Sequence, residues 1–186
     1  MGEPEKRAER AGATIAFVDE AAFYLLPCVV RTWARVGQTP VLKTPTNYEH
    51  LSVASAITLD GRLITRVRDS AFNGAAVVAF LRHLLRQISG KIVLIWDGAG
   101  IHHCREVRAF LASGAARRRL RLIRLPAYAP ELNPDEGVWR WLKRQLGNLC
   151  CKDFGELRYE LHLAIRRLRR RPHLLRACFE HAGLQL

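Results

Sequence analysis

Apolar and polar positions along this chain follow two rhythms, and the first half reads mostly as strands. "ATIAFVDE" (13–20) is a short β run ending in Asp19. "VVRTWARVGQTPVL" (29–42) has the pattern of paired short strands around a Gly-Gln-Thr-Pro turn. "HLSVASAITLDGRLITRVRD" (50–69) predicts a hairpin, two β runs joined at Asp60-Gly61. The rhythm then lengthens. Over residues 73–89, Val77, Phe80, Leu81, Leu84, Leu85 and Ile88 recur at helical spacing. "KIVLIWD" (91–97) is a continuous apolar run of the kind buried on both faces of a sheet, and it closes on Asp97. The pattern predicts a second helix over 102–113 and a strand over 119–125. A helix then follows Asn133 to about Gly147, and a basic helix covers about 153–171 before Pro172. No repeat and no linker interrupts this order.

The order βββαβαβα predicts an α/β fold, a mixed sheet between helices. Sites in such open sheets form outside the carboxyl ends of strands. Asp19 and Asp97 both stand at the ends of apolar strands, and the turn after "LRLIRLP" brings the helix bearing Glu136 to the same edge. If the strands of Asp19 and Asp97 are neighbours, three carboxylates meet in one cleft. They would repel one another and hold their protons unless a cation neutralised them. Oxygen-only ligands select hard ions, Mg²⁺ or Mn²⁺, and two such ions about 4 Å apart can activate a water and stabilise the leaving oxygen of a phosphodiester. Each acid also has a purely structural account. Asp19 can end a strand, Asp97 can start the Gly98 turn, and Glu136 can close a capping box with Asn133 ahead of Pro134.

Charge gives that chemistry a substrate. Across 186 residues, 30 Lys+Arg against 17 Asp+Glu leave a net charge of +13. That balance favours polyanions such as nucleic acid or an anionic membrane surface. Twenty-five of the cations are arginine, the side chain that forks onto phosphate. No apolar stretch approaches the roughly 20 residues of a membrane span. "MGEPEKRAERAG" has no signal core, and Lys6 rules out a myristoylation motif. Five cysteines without a C-x-x-C suit reduced thiols, hence a cytoplasmic location. Consecutive His102, His103 and Cys104 do not converge on one zinc. G-x-S-x-G, H-E-x-x-H and P-loop motifs are missing, and "DGAG" lacks the third glycine of a dinucleotide loop.

Three blocks in order carry a family resemblance: "FVDEAAFYLLPCVVRTWARVGQTP", "LIWDGAGIHHCREVRAFL" and "LPAYAPELNPDEGVWRWLK". Together, over about residues 13–171, the chain resembles the catalytic domain of bacterial insertion-sequence transposases of the mariner superfamily, within the DDE-superfamily endonucleases. The resemblance implies a ribonuclease H-like fold, a mixed five-stranded sheet flanked by helices. Residues 13–186 would form that domain, behind a flexible tail over 1–12. It implies Asp19, Asp97 and Glu136 as the first, second and third ligands of two Mg²⁺ or Mn²⁺ ions. In the family the position of Asp135 is usually apolar. Periodicity agrees, since Asp135 leads onto the stripe Val138, Leu142 and Leu149, whereas Glu136 aligns with Trp139, Arg140 and Lys143. Asp135 is the fallback.

His102 matches a family histidine, and would either touch substrate phosphate or begin a helix. Trp33, Gly37 and Pro40 match a structural β-hairpin block, and Trp96, Trp139 and Trp141 suit core or groove wall. The basic segment "AIRRLRRR" (164–171) offers Arg166, Arg167 and Arg170 to a DNA backbone, or to solvent. Gly98 stands where the family usually has Asn, and "SGAARRR" (113–119) lengthens the path from Asp97 to Glu136. The implied activity is metal-dependent strand cleavage and strand transfer at element ends, in the nucleoid. The implied partners are element and target DNA, a second copy of the chain, and a separate N-terminal helix-turn-helix polypeptide. A catalytically inactive DNA-binding remnant, and a ribonuclease or resolvase of the same fold, are the competing readings.

Overall fold

The computed structural model describes residues 12–43, 49–126 and 129–184. All of the expected tail over 1–12 except Gly12 lies outside these. Five strands form one sheet: β1 Thr14–Tyr24, β2 His50–Thr58, β3 Leu63–Arg68, β4 Ile92–Trp96 and β5 Leu120–Arg124. Their order is β3-β2-β1-β4-β5. The β1–β2 and β2–β3 pairs are antiparallel, whereas β1–β4 and β4–β5 are parallel. The sheet is therefore mixed, as the element order predicts. Among the described residues six α-helices accompany it: α1 Gly74–Gln87, α2 Arg105–Leu111, α3 Gly114–Arg119, α4 Asp135–Gln145, α5 Phe154–Arg169 and α6 Pro172–His181. Among the described residues no helix is long and apolar enough to cross a membrane.

Strand parity divides the core in two. Ile15, Phe17, Val53, Ile57, Val93 and Ile95 point to one face and pack with Val138, Leu142, Leu161, Leu168 and Phe179 of α4, α5 and α6. Ala16, Val18, Ala54, Ala56, Leu94 and Trp96 point to the other and pack with Val77, Phe80, Leu81 and Leu84 of α1 and Val107 of α2. Each fully buried Leu or Phe contributes roughly 1.5–3 kcal/mol, so neither layer is dispensable. The caps are local. Asn73 accepts from the Ala76 N–H at the start of α1, and Asp153 from the Glu156 N–H at the start of α5, both at 2.9 Å.

Four expectations change. β1 runs on to Tyr24 because β2 pairs with it along that length, so Asp19 sits inside the strand instead of at its end. Residues 29–42 form no strand, only a turn at Val36-Gly37. Trp33 and Val36 are 99% and 103% exposed, so the alternation there has neither a neighbouring strand nor a core to face. The helix expected over 102–113 splits into a 3₁₀ turn, Gly100–His103, and α2, with Cys104 extended between them. Pro172 does end α5 but also opens α6, because a first-turn proline lacks only an N–H that would go unpaired.

The Asp60-Gly61 hairpin forms as expected, with Gly61 at φ +80° and its N–H donating to the Thr58 carbonyl at 2.8 Å. A side chain there strains the backbone. Gly61→Ala should cost about 1 kcal/mol of stability in urea unfolding. An unchanged midpoint would show that the turn relaxes freely.

Candidate active site

Register fixes the strands that carry the two aspartates. Phe17 of β1 and Ile95 of β4 are the last parallel pair, and Asp19 and Asp97 each follow it by two residues, Asp19 within β1 and Asp97 just past the end of β4. By parity Asp19 shares the face of Phe17 and Phe23, towards α4. Its partner across β2 is Ser55, and the partner of Ser55 across β3 is Thr65. A polar row thus crosses an otherwise apolar face, and helices meet it with polar groups. Trp139 Nε1 donates to Asp19 Oδ2 at 2.9 Å, Ser55 Oγ donates to Asp135 Oδ1, and Arg169 Nη2 donates to Thr65 Oγ1 at 2.9 Å.

The carboxyls on this face disturb one another. Burial pushes Asp19 upward; the bonds from Trp139 and the Glu20 N–H oppose it, and the charges of Glu20 and Glu136 add to it, leaving a pKa of about 6. Asp135 is fully buried. Desolvation, then the charge of Asp19, hold its carboxyl well above the usual range, against the Ser55 bond. Its Oδ2 has no hydrogen-bond partner among the described residues.

Glu136 is free for other work. In a capping box its carboxylate would accept the Asn133 N–H, but that N–H donates to the Pro130 carbonyl at 2.9 Å. Asn133 Oδ1 accepts from the Asp135 N–H at 3.2 Å. Helix initiation therefore proceeds without Glu136, whose exposed carboxylate makes no hydrogen bond or ion pair among the described residues. Along α4, Asp135, Val138 and Leu142 are buried, as the periodicity predicts. Trp139 is buried too, although the periodicity set it with Glu136 and the exposed Arg140 and Lys143. It turns inward because its indole N–H has Asp19 to reach.

A second network lies on the opposite face. Glu20 follows Asp19 in the strand and so points the other way. His102 is 1% exposed and stacks flat on Trp96, with centroids 4.3 Å apart. Its Nε2 is 3.2 Å from both Glu20 carboxyl oxygens, and its Nδ1 is 3.0 Å from Asp97 Oδ1. Burial lowers the imidazole pKa, but the bond and charge of Glu20, then the charge of Asp97, more than offset this and raise it. Both ring nitrogens are committed to protein carboxyls, so His102 has none left for a phosphate. Asp97 Oδ1 also accepts the Ala99 N–H at 2.9 Å.

The predicted acids thus share one edge without closing on one point. Glu136 is near enough for its charge to raise Asp19, while Asp97 turns toward His102. Among the described residues no three His, Cys, Asp or Glu side chains gather as a metal centre. The donor set nevertheless fits a hard divalent cation, being all oxygen, with Asp19 raised to about 6 by burial and by the charges of Glu20 and Glu136. Arg166, Arg167 and Arg170 are exposed at the end of α5. Arg169 between them is tied to Leu63 and Thr65 of β3, across the sheet from Asp97. Sequence reasoning missed Ser55 and Glu20. The serine inside an apolar strand at the level of Asp19 was a usable signal, but only once the register was known.

Comparison with known proteins bears on the family and the fold. A family model described as "DDE superfamily endonuclease" matches residues 14–158. The "Insertion element IS630 uncharacterized 39 kDa protein" of Shigella sonnei is 26% identical over 130 residues, 69% of this chain and 37% of that protein. Among solved structures, a pre-cleavage Mos1 transpososome superposes with a TM-score of 0.65 at 16% identity, over 97% of this chain and 60% of that one. The catalytic domain of Mos1 mariner transposase gives 0.57 at 15% identity, over 97% and 89%. The shared fold is the ribonuclease H-like one. The chain spans little more than a third of the Shigella sonnei protein.

Two predictions follow from the polar row. Ser55→Ala removes the hydrogen bond of a buried carboxyl and should lower stability by about 1–2 kcal/mol in chemical unfolding; no loss would mean that Asp135 relaxes to another partner. Asp19 keeps its proton to higher pH folded than unfolded. Metal-free protein should therefore lose stability as pH rises from about 4 to about 6, with no further loss from this group above that. Asp19→Asn should flatten that part of a melting-temperature profile, and an equal slope in both proteins would contradict the assignment.

Proposed function

This chain belongs to the DDE superfamily of endonucleases, and from that premise we propose that it is the catalytic domain of an insertion-sequence transposase. The substrate is DNA, cut at element ends and joined to target DNA. The observation that supports this reading is the parallel β1–β4 pairing, whose last pair lies two residues before both Asp19 and Asp97, together with the charge of Glu136 acting on Asp19.

In this reading Asp19, Asp97 and Glu136 hold Mg²⁺ or Mn²⁺, two ions in all. When bound, such ions supply Lewis acidity, making a water nucleophilic near neutral pH and offsetting charge on a departing oxygen. The protein's own residues do the holding. Trp139 fixes the rotamer of Asp19, and His102, clamped by Glu20 and stacked on Trp96, fixes Asp97. Ser55 anchors the start of α4 through Asp135, which keeps Glu136 facing outward. The arginine-rich surface, including Arg166, Arg167 and Arg170, binds the polyanion. The 3′-hydroxyl freed by the first cut attacks target DNA by the same in-line displacement. A second copy of the chain and a helix-turn-helix polypeptide that recognises element ends complete the assembly, in the nucleoid.

A second reading, a catalytically inactive DNA-binding remnant, is favoured by one observation: Asp97 is engaged by His102 and the Ala99 N–H instead of facing Asp19. One assay separates the two. Purified chain incubated with supercoiled plasmid and Mg²⁺ or Mn²⁺ should nick it, and Asp97→Asn should nick at least about 100-fold more slowly. Equal nicking by both proteins would defeat the endonuclease reading. DNA binding by both with nicking by neither would establish the remnant.

A further inference from the structure

Several arginines near the sheet are occupied. Arg119 donates to the Leu85, Ile88 and Gly90 carbonyls, closing the end of α1. Arg169 bonds β3, Arg62 pairs with Asp60, and Arg158 pairs with Asp69. Arg124 differs. It is the last residue of β5, level with Trp96, and β5 stays paired one step beyond it, where the Leu125 N–H donates to the Trp96 carbonyl at 2.8 Å. Its backbone is therefore anchored, while its exposed guanidinium makes no hydrogen bond or ion pair among the described residues.

That guanidinium lies over Gly98, the residue after Asp97. A Cβ built on Gly98 would sit 2.0 Å from Arg124 Nη2 and 2.4 Å from Nε, inside contact distance. The missing side chain at 98 is thus the space that Arg124 fills. Gly98 has no left-handed backbone angle to explain a glycine there. The seat puts a rigid fork of N–H donors beside an acidic edge without neutralising any of its acids.

Resting on the transposase reading above, we propose that Arg124, seated by Gly98, binds a backbone phosphate of the DNA strand running past Asp97. A polyanion approaching Asp19, Asp97 and Glu136 meets like charge, and a cation adjacent to Asp97 but unpaired with it lowers that barrier at the point of approach. An arginine there can take two phosphate oxygens at once.

The test is the salt dependence of binding to a short DNA duplex in EDTA, which requires no cleavage. Arg124→Ala should weaken binding about 5–10-fold and make the slope of log affinity against log salt shallower by about 1. Gly98→Ala should do the same, because its methyl group displaces the end of a flexible side chain and leaves the melting temperature unchanged. The double variant should bind no worse than either single one. Arg124→Lys, which keeps the charge, should keep the slope. A wild-type slope in Arg124→Ala or in Gly98→Ala, or losses that multiply in the double variant, would overturn the proposal. The plasmid assay stands apart. Altered slopes without nicking leave Arg124 as a phosphate ligand and remove the catalytic reading; nicking with unaltered slopes does the reverse.

Discussion

The parallel pairing of β1 with β4 is the constraint on which the site depends. Acidic side chains repel, and a chain left to itself would keep Asp19 and Asp97 apart. Hydrogen bonding along Thr14–Phe17 and Ile92–Ile95 fixes the strands that carry them and ends two residues short of both. The apolar residues below them, buried on both faces, provide the free energy for that arrangement. Asp19 itself is pushed to about 6, by burial first and then by the charges of Glu20 and Glu136. A buried carboxyl with like charges beside it is one that a cation would stabilise.

Strand parity does the rest of the sorting. Asp19 and Glu20 are neighbours in sequence, yet they enter different layers. Asp19 meets Trp139 and the charge of Glu136 over one face, and Glu20 meets His102 over the other. The aspartates are thereby supported from separate cores, one by an indole and one by an imidazole that itself rests on Trp96. A change in one helical layer reaches one aspartate first. Asp135 belongs to the support, buried on Ser55, and Glu136 one residue later stays in solvent. A single step of helix rotation separates a carboxyl sealed inside from one presented at the surface.

The arginines divide in the same way. Arg119 and Arg169 are structural, capping carbonyls at the ends of α1 and β3. Arg124 has its backbone fixed and its head group unspent, over the only kind of residue that leaves it room. Net charge alone treats these side chains as equal. Their hydrogen bonds do not.

Much of the fold was legible in the chain itself, because burial imposes period 2 on strands and 3.6 on helices, and those periods survive in the sequence. The hairpin at Asp60-Gly61, the strand 92–96 and the helix α1 were all readable in that way. Asp19, Asp97 and Glu136 stand out as candidates on similar local grounds, since each follows an apolar run or a proline turn. Residues 29–42 misled because alternation without a neighbouring strand buries nothing. Pro172 misled because a proline that stops one helix can start the next. What only the tertiary structure decided was adjacency. Register set Ser55 beside Asp19, parity sent Glu20 to His102, and the end of β5 laid Arg124 on Gly98. These contacts join residues tens of positions apart, and local periodicity carries no information about which strands will pair.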